Sequence, residues 1–285
     1  MHLRIFALAS ALLLATLSEA RVAPVPASLR STLKQQIGKT NVTVEYSRPN
    51  VKDRVVFGEL VPFGEVWRTG ANVSTALKFD TPLTIGDTEL PAGRYSLFTI
   101  PRESSWTIIV NTVPDEFGAF TYDAAKDALR FEVEPFTIPS HIETFEIAFA
   151  ELGKNVGQLQ LRWANTIVPI PLSVTEESND QVMLSEIKAD IIDGGEPTWG
   201  NYGEAARFYD KRDLDLAAAD EWYGKCTELN PNAFWMHVEH ANLLIRLERL
   251  NEARAELEAG LSSAEKQNHE DGINWIKGEL AKLAP

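Results

Sequence analysis

Cysteine is almost missing from this chain: Cys226 is the only one in 285 residues, so no internal disulfide can staple the fold and no cysteine-based metal motif can be assembled. Histidine is nearly as sparse. After the first twenty residues only His141, His237, His240 and His269 occur. His237 and His240 fall three apart on one face of a helical segment, but the further ligands of a metal motif are lacking, so neither metal nor cofactor is expected. No G-x-S-x-G serine motif occurs, and His141 as a lone general base has no evident partner. Basic residues are outnumbered 27 to 41, and neither half has the cationic face that nucleic acid or anionic lipid requires. Beyond the first twenty residues no apolar run approaches the roughly 20 residues of a membrane span.

Residues 1–20 read as an export signal: His2 and Arg4 begin it, an apolar run from Ile5 to Leu17 follows, and Ser18-Glu19-Ala20 forms a small-residue exit. The mature protein is therefore expected in the periplasm or secreted. Its charge is uneven. From Arg21 to Leu172 there are 15 Lys and Arg against 17 Asp and Glu, and from Ser173 onward 11 against 23. The length and this asymmetry predict two domains, over residues 21–172 and 199–285, joined by a helix and linker over 173–198.

The first domain is written in short apolar or alternating runs: Ser31 to Ile37, Val42 to Tyr46, Val55 to Leu60, Thr75 to Phe79, Tyr95 to Ile100, Trp106 to Asn111, Leu129 to Val133, Phe145 to Phe149, Leu159 to Trp163 and Ile167 to Ile170. Turn chemistry such as Pro91-Ala92-Gly93 separates them, which predicts an all-β antiparallel sandwich or barrel. From about Ser178 the period becomes helical. Leu216, Ala219, Tyr223 and Cys226 recur 34 positions later as Leu250, Ala253, Leu257 and Gly260, the period of a tetratricopeptide repeat. A short all-α repeat array, closed by a helix from Gly272 to Leu283 and offering a surface to a protein partner, is the expectation.

The stretch from Tyr46 to Asn72 is much denser in arginine, glycine and proline than the segments around it. Arg48, Arg54 and Arg68 can supply charge to a small polar or anionic ligand, since guanidinium forks pair two-point with carboxylate or phosphate. Trp67 can supply a stacking face, and Asn72 and Asn111 hydrogen bonds. Against this stands pairing of the arginines with Glu45, Asp53, Glu59 and Glu65 in ordinary loops. Two other classes stay open: a cofactor-free hydrolase or isomerase using Glu59 or Glu65 beside the arginines, and a structural or assembly factor of the cell envelope.

Tyr46 to Arg54, Phe57 to Asn72 and the PAGRYSLFTIP segment from Pro91 to Pro101 closely resemble a family of exported bacterial proteins known only as a domain of unknown function. The likeness continues through Trp106 to Asn111, Gly118 to Tyr122, Asp127 to Arg130 and Trp163 to Asn165. It implies export, a β-rich fold and, often, a helical tail, with no assigned activity. Asp53 stands where the resemblance calls for glycine, and Phe63 where tyrosine is common.

Overall fold

Successive side chains of a strand face opposite ways, and in Thr40–Arg48 the pattern is plain: Val42, Val44 and Tyr46 are buried, whereas Asn41, Thr43 and Glu45 reach the surface to differing degrees. Repetition of this pattern builds the first half. The computed structural model describes residues 25–283, and the export signal expected over residues 1–20 lies outside the described residues. Ten strands follow one another as β1 (Leu29–Ile37), β2 (Thr40–Arg48), β3 (Thr75–Phe79), β4 (Leu83–Ile85), β5 (Thr88–Leu90), β6 (Gly93–Pro101), β7 (Trp106–Asn111), β8 (Asp127–Val133), β9 (Phe136–Ala150) and β10 (Val156–Ser173). They form a six-stranded sheet, β1-β2-β3-β6-β7-β8, and a four-stranded sheet, β5-β4-β10-β9. Every pairing is antiparallel.

The two sheets share one core. Val44, Leu77, Leu97, Trp106 and Ile108 of the larger sheet meet Phe145, Ile147, Leu161, Trp163 and Ile170 of the smaller, each such side chain stabilising the fold by about 1.5–3 kcal/mol relative to exposure. The central strands are buried on their other face as well. Phe98, Ile100 and Ile109 form a second cluster with Val66, Ala119 and Tyr122, contributed by the loops that cross this side.

Two strand expectations need correction, and one hairpin was not expected at all. Val55 to Leu60 is a turn region instead of a strand: Gly58 takes φ +97°, Val61 N donates to the Val56 carbonyl, and the segment folds back on itself. The hairpin β4–β5 was not visible in the apolar pattern because its strands are only three residues long. Leu159 to Trp163 and Ile167 to Ile170 belong to the single strand β10, whose register shifts around Ala164 at φ +52°, a bulge that lets one strand turn without ending.

After β10 the chain is helical: α1 (Glu176–Ile187), a wider turn over Lys188–Ile192, then α2 (Trp199–Lys211), α3 (Leu216–Leu229), α4 (Phe234–Arg246), α5 (Leu250–Lys266) and α6 (Glu270–Lys282). The starts are chemically marked. The Thr175 hydroxyl accepts from Ser178 N, Thr198 and Asn201 form a reciprocal capping box, and Asp215 accepts from Ala217 N and Ala218 N. Helix α1 is tied to the sheets through Asn179, whose amide oxygen accepts from Lys39 N at 2.7 Å while its nitrogen donates to Asn155 at 3.0 Å.

Candidate functional site

Strand β3 covers only part of β6, and the chain before it continues the pairing with a single residue: Trp67 N donates to the Thr99 carbonyl at 2.7 Å and Thr99 N returns to the Trp67 carbonyl at 2.9 Å. Between Trp67 and Thr75 the backbone must loop out. It does so through three positive φ values, at Thr69 (+53°), Gly70 (+148°) and Asn72 (+60°). A β-branched residue at positive φ is a true outlier, and such positions persist only where the surroundings over-determine them. Here the surroundings are buried hydrogen bonds: the Trp67 indole donates to the Gly70 carbonyl at 3.0 Å, and the Thr75 hydroxyl donates to the Thr69 carbonyl.

The facing wall is the segment after β2. Val51 N donates to the Glu143 carbonyl and Phe145 N to the Pro49 carbonyl, pinning the segment to β9. Lys52 and Asp53 then stand at φ +50° and +56°. Glycine adopts that conformation without strain, which accounts physically for the glycine that the resemblance calls for at position 53.

These walls enclose a cavity of about 290 Å³ lined by Lys52, Arg54 and Arg68, by Trp67 and Trp163, and by Leu60 and Val61. No carboxylate lines it, although the chain as a whole carries a charge of −14. Arg54 is held by its own loop, donating from Nε to the Val51 carbonyl at 2.9 Å and from a terminal nitrogen to the Asn50 carbonyl at 2.7 Å. The Arg68 guanidinium makes no hydrogen bond or ion pair with any of the described residues, and its Nε is buried. Burial lowers the pKa of Arg68 from its ordinary value, yet a guanidinium remains protonated at any physiological pH. The result is a half-buried cation without a counter-charge. Glu143 is the acid bordering this region: its carboxylate accepts from Lys52 N at 3.0 Å, and that backbone bond leads the causes that hold its pKa below the usual range.

Arg54, Trp67 and Arg68 are thus brought together around one cavity. Arg48, Asn72 and Asn111 are not. Arg48 Nε donates to the Phe145 carbonyl at 3.0 Å, bridging the two sheets. Asn72 spends its amide on the Ser28 carbonyl and the Ser47 hydroxyl, both at 3.2 Å. Asn111 is fully buried and donates to the Asp123 carbonyl and the Asp127 carboxylate. Trp67 contributes an edge of the cavity from within the core, where its ring stacks on Trp163. Lys52 and Trp163 are not among the residues the sequence singles out for the site, and the lysine's only signal is its place in the dense Tyr46 to Asn72 stretch. Glu59 and Glu65 are exposed and line none of this cavity.

A larger cleft of about 630 Å³ lies between the Gly38–Lys39 and Lys154–Asn155 turns and helices α1 and α2. Its charges are largely neutralised internally: Arg207 pairs with Glu204 and Glu239, Arg212 with Asp180 and Glu176, and Lys154 with Glu176. Among the described residues no cluster of histidine, cysteine and carboxylate side chains has metal-binding geometry, and no described helix is long and apolar enough to cross a membrane.

No curated protein and no solved structure matches the chain. Residues 28–172, just over half of the sequence and all but the last residue of the two-sheet region, match the family described as a protein of unknown function (DUF2911), and the chain belongs to that family.

Proposed function

We propose that this is an exported binding protein whose two-sheet domain holds a small anionic ligand at Arg68, with Arg54 and Lys52 reinforcing the positive potential and Trp67 and Trp163 walling the site. The observation that carries the reading is the Arg68 guanidinium, half-buried and unpaired among the described residues in a cavity without a carboxylate. Natural folds leave a buried donor unmatched mainly where something else completes it. Local strain at Lys52, Asp53, Thr69 and Asn72 supports the same reading, because such backbone clusters at binding sites.

The helices form a tetratricopeptide-like array in this reading, a surface for a protein partner. Helices α3 and α5 begin 34 residues apart, and the repeated positions Ala219 and Ala253, Tyr223 and Leu257, Cys226 and Gly260 are all buried. At Gly260 a Cβ would sit 3.0 Å from the His237 Cβ, so the small residue is required for α5 to approach α4.

A thermal-shift series on the mature chain from Arg21 tests the proposal. A ligand at about a hundred times its dissociation constant adds about 2.7 kcal/mol, which at about 2–4 °C per kcal/mol raises the midpoint by roughly 5–11 °C in a protein of this size. Small organic and inorganic anions should stabilise the wild type in this way and leave Arg68→Gln unmoved. Equal responses from the two proteins, or none from the wild type, would refute it.

A further inference from the structure

Resting on the anion reading above, the donors around the cavity restrict which anion fits. Trp67 Nε1 is spent on the Gly70 carbonyl and Trp163 Nε1 on the Glu143 carbonyl at 3.2 Å, so both indoles present only carbon to the cavity. Arg54 has committed Nε and one terminal nitrogen to carbonyls of its own loop. One guanidinium edge, that of Arg68, is left intact. A single edge satisfies the two oxygens of a carboxylate in parallel, whereas the further oxygens of a phosphate group would fall to Lys52, which lines the same cavity but is more exposed than Arg68, and a charged oxygen desolvated without a partner is costly.

Apart from Lys52, Asn50 and Ser28, the remaining walls are apolar. Leu60 and Val61 join the two indoles, and the volume of about 290 Å³ stands at the lower end for small-molecule sites. We infer that the ligand is a hydrophobic monocarboxylate: one carboxylate seated on Arg68, carrying a single ring or a short branched chain against Leu60, Val61 and the indoles.

Isothermal titration of the mature full chain with phenylacetate, acetate and inorganic phosphate tests this, using wild type, Arg68→Gln and Leu60→Ser, with near-UV circular dichroism to verify each fold. Leu60 is 40% exposed, so its replacement leaves the core in place. Phenylacetate should bind at least about tenfold more tightly than acetate or phosphate, lose that binding in Arg68→Gln, and weaken several-fold in Leu60→Ser while acetate is unaffected. Acetate or phosphate binding as tightly as phenylacetate, and depending on Arg68, overturns the hydrophobic class and leaves the anion site standing. Phenylacetate binding that ignores Arg68, or no binding by any of the three probes, overturns both.

Discussion

Trp67 and Trp163 lie nearly parallel, their ring centroids 5.9 Å apart and their planes 17° from each other. The loop that presents Arg68 is therefore anchored in the shared core of the two sheets by the residue next to it, with Phe57, Trp106 and Phe145 packed edge-on around the pair. Truncation of a buried aromatic costs about 3–5 kcal/mol. Trp67→Ala should lose stability of that order in a urea melt, and Trp67→Phe, which removes chiefly the bond to the Gly70 carbonyl, about 1 kcal/mol.

Gly70 is the second anchor. At φ +148° a side chain is strained, and a Cβ would come 2.9 Å from the Ser47 carbonyl oxygen. Gly70→Ala should cost about 1–3 kcal/mol and displace Arg68. Gly64 offers the control, since a Cβ there meets nothing within 4 Å; at φ +81° its replacement by alanine should carry the backbone strain alone, about 1–2 kcal/mol and less than at Gly70. Denaturant midpoints of the two variants, measured side by side, check the difference.

The helical half carries its own pH dependence. His240 lies between two carboxylates, Nε2 at 2.8 Å from Asp220 and Nδ1 at 3.5 Å from Glu256, with Tyr223 stacked on its ring; His237 also meets Glu256 at 2.7 Å, and Arg249 pairs with Asp220 from the far side. Burial by itself favours neutral His240, but the two carboxylates outweigh it and raise the pKa above 6.5. Burial likewise opposes ionised Glu256, and the two imidazoles outweigh it, lowering the pKa to about 2. A raised histidine stabilises fully below its unfolded value and loses that contribution as pH climbs through the folded one. Glu256 stabilises fully above 4.5 and loses its contribution as pH falls towards about 2. Helical melting followed by far-UV ellipticity should therefore be highest between about pH 4.5 and 6.5, with the alkaline limb flattened in His240→Gln and the acid limb in Glu256→Gln.

Cys226 reports on the same region. Its thiol is fully buried on α3, and burial pushes its pKa up to about 11. Thiolate is the reacting species, so a disulfide reagent at neutral pH should label the native protein only as fast as the helices open, and rapidly once urea unfolds them. Rapid labelling of the folded chain would contradict this packing.

Arg54, Trp67 and Arg68 were legible as a group because they sit in one short run of arginine, glycine and proline, where loop chemistry concentrates. Trp163 was not, since it reaches the cavity from β10 and cross-sheet neighbours leave no trace in local sequence. Arg48 shares the inward face of Tyr46 and, at the strand's end, spans to β9; its proximity to Arg54 in sequence said nothing about that direction. Val55 to Leu60 read as a strand from its apolar content, and the positive φ values at Lys52, Asp53 and Gly58 that fold it back lie in backbone geometry that composition does not encode. The helical offset of 34 was visible because small residues must recur where helices cross closely.

On the proposed reading, Arg68 serves a ligand and contributes nothing to the fold. The most direct measurement is the urea stability of Arg68→Met against wild type without ligand, followed by both with a saturating small anion. An unchanged or higher midpoint is expected for the variant, because an uncompensated half-buried cation has been removed, together with complete loss of the anion-induced gain. A variant destabilised by about 3 kcal/mol or more, as when one partner of a buried ion pair is removed, or one that keeps the anion-induced gain, would contradict it.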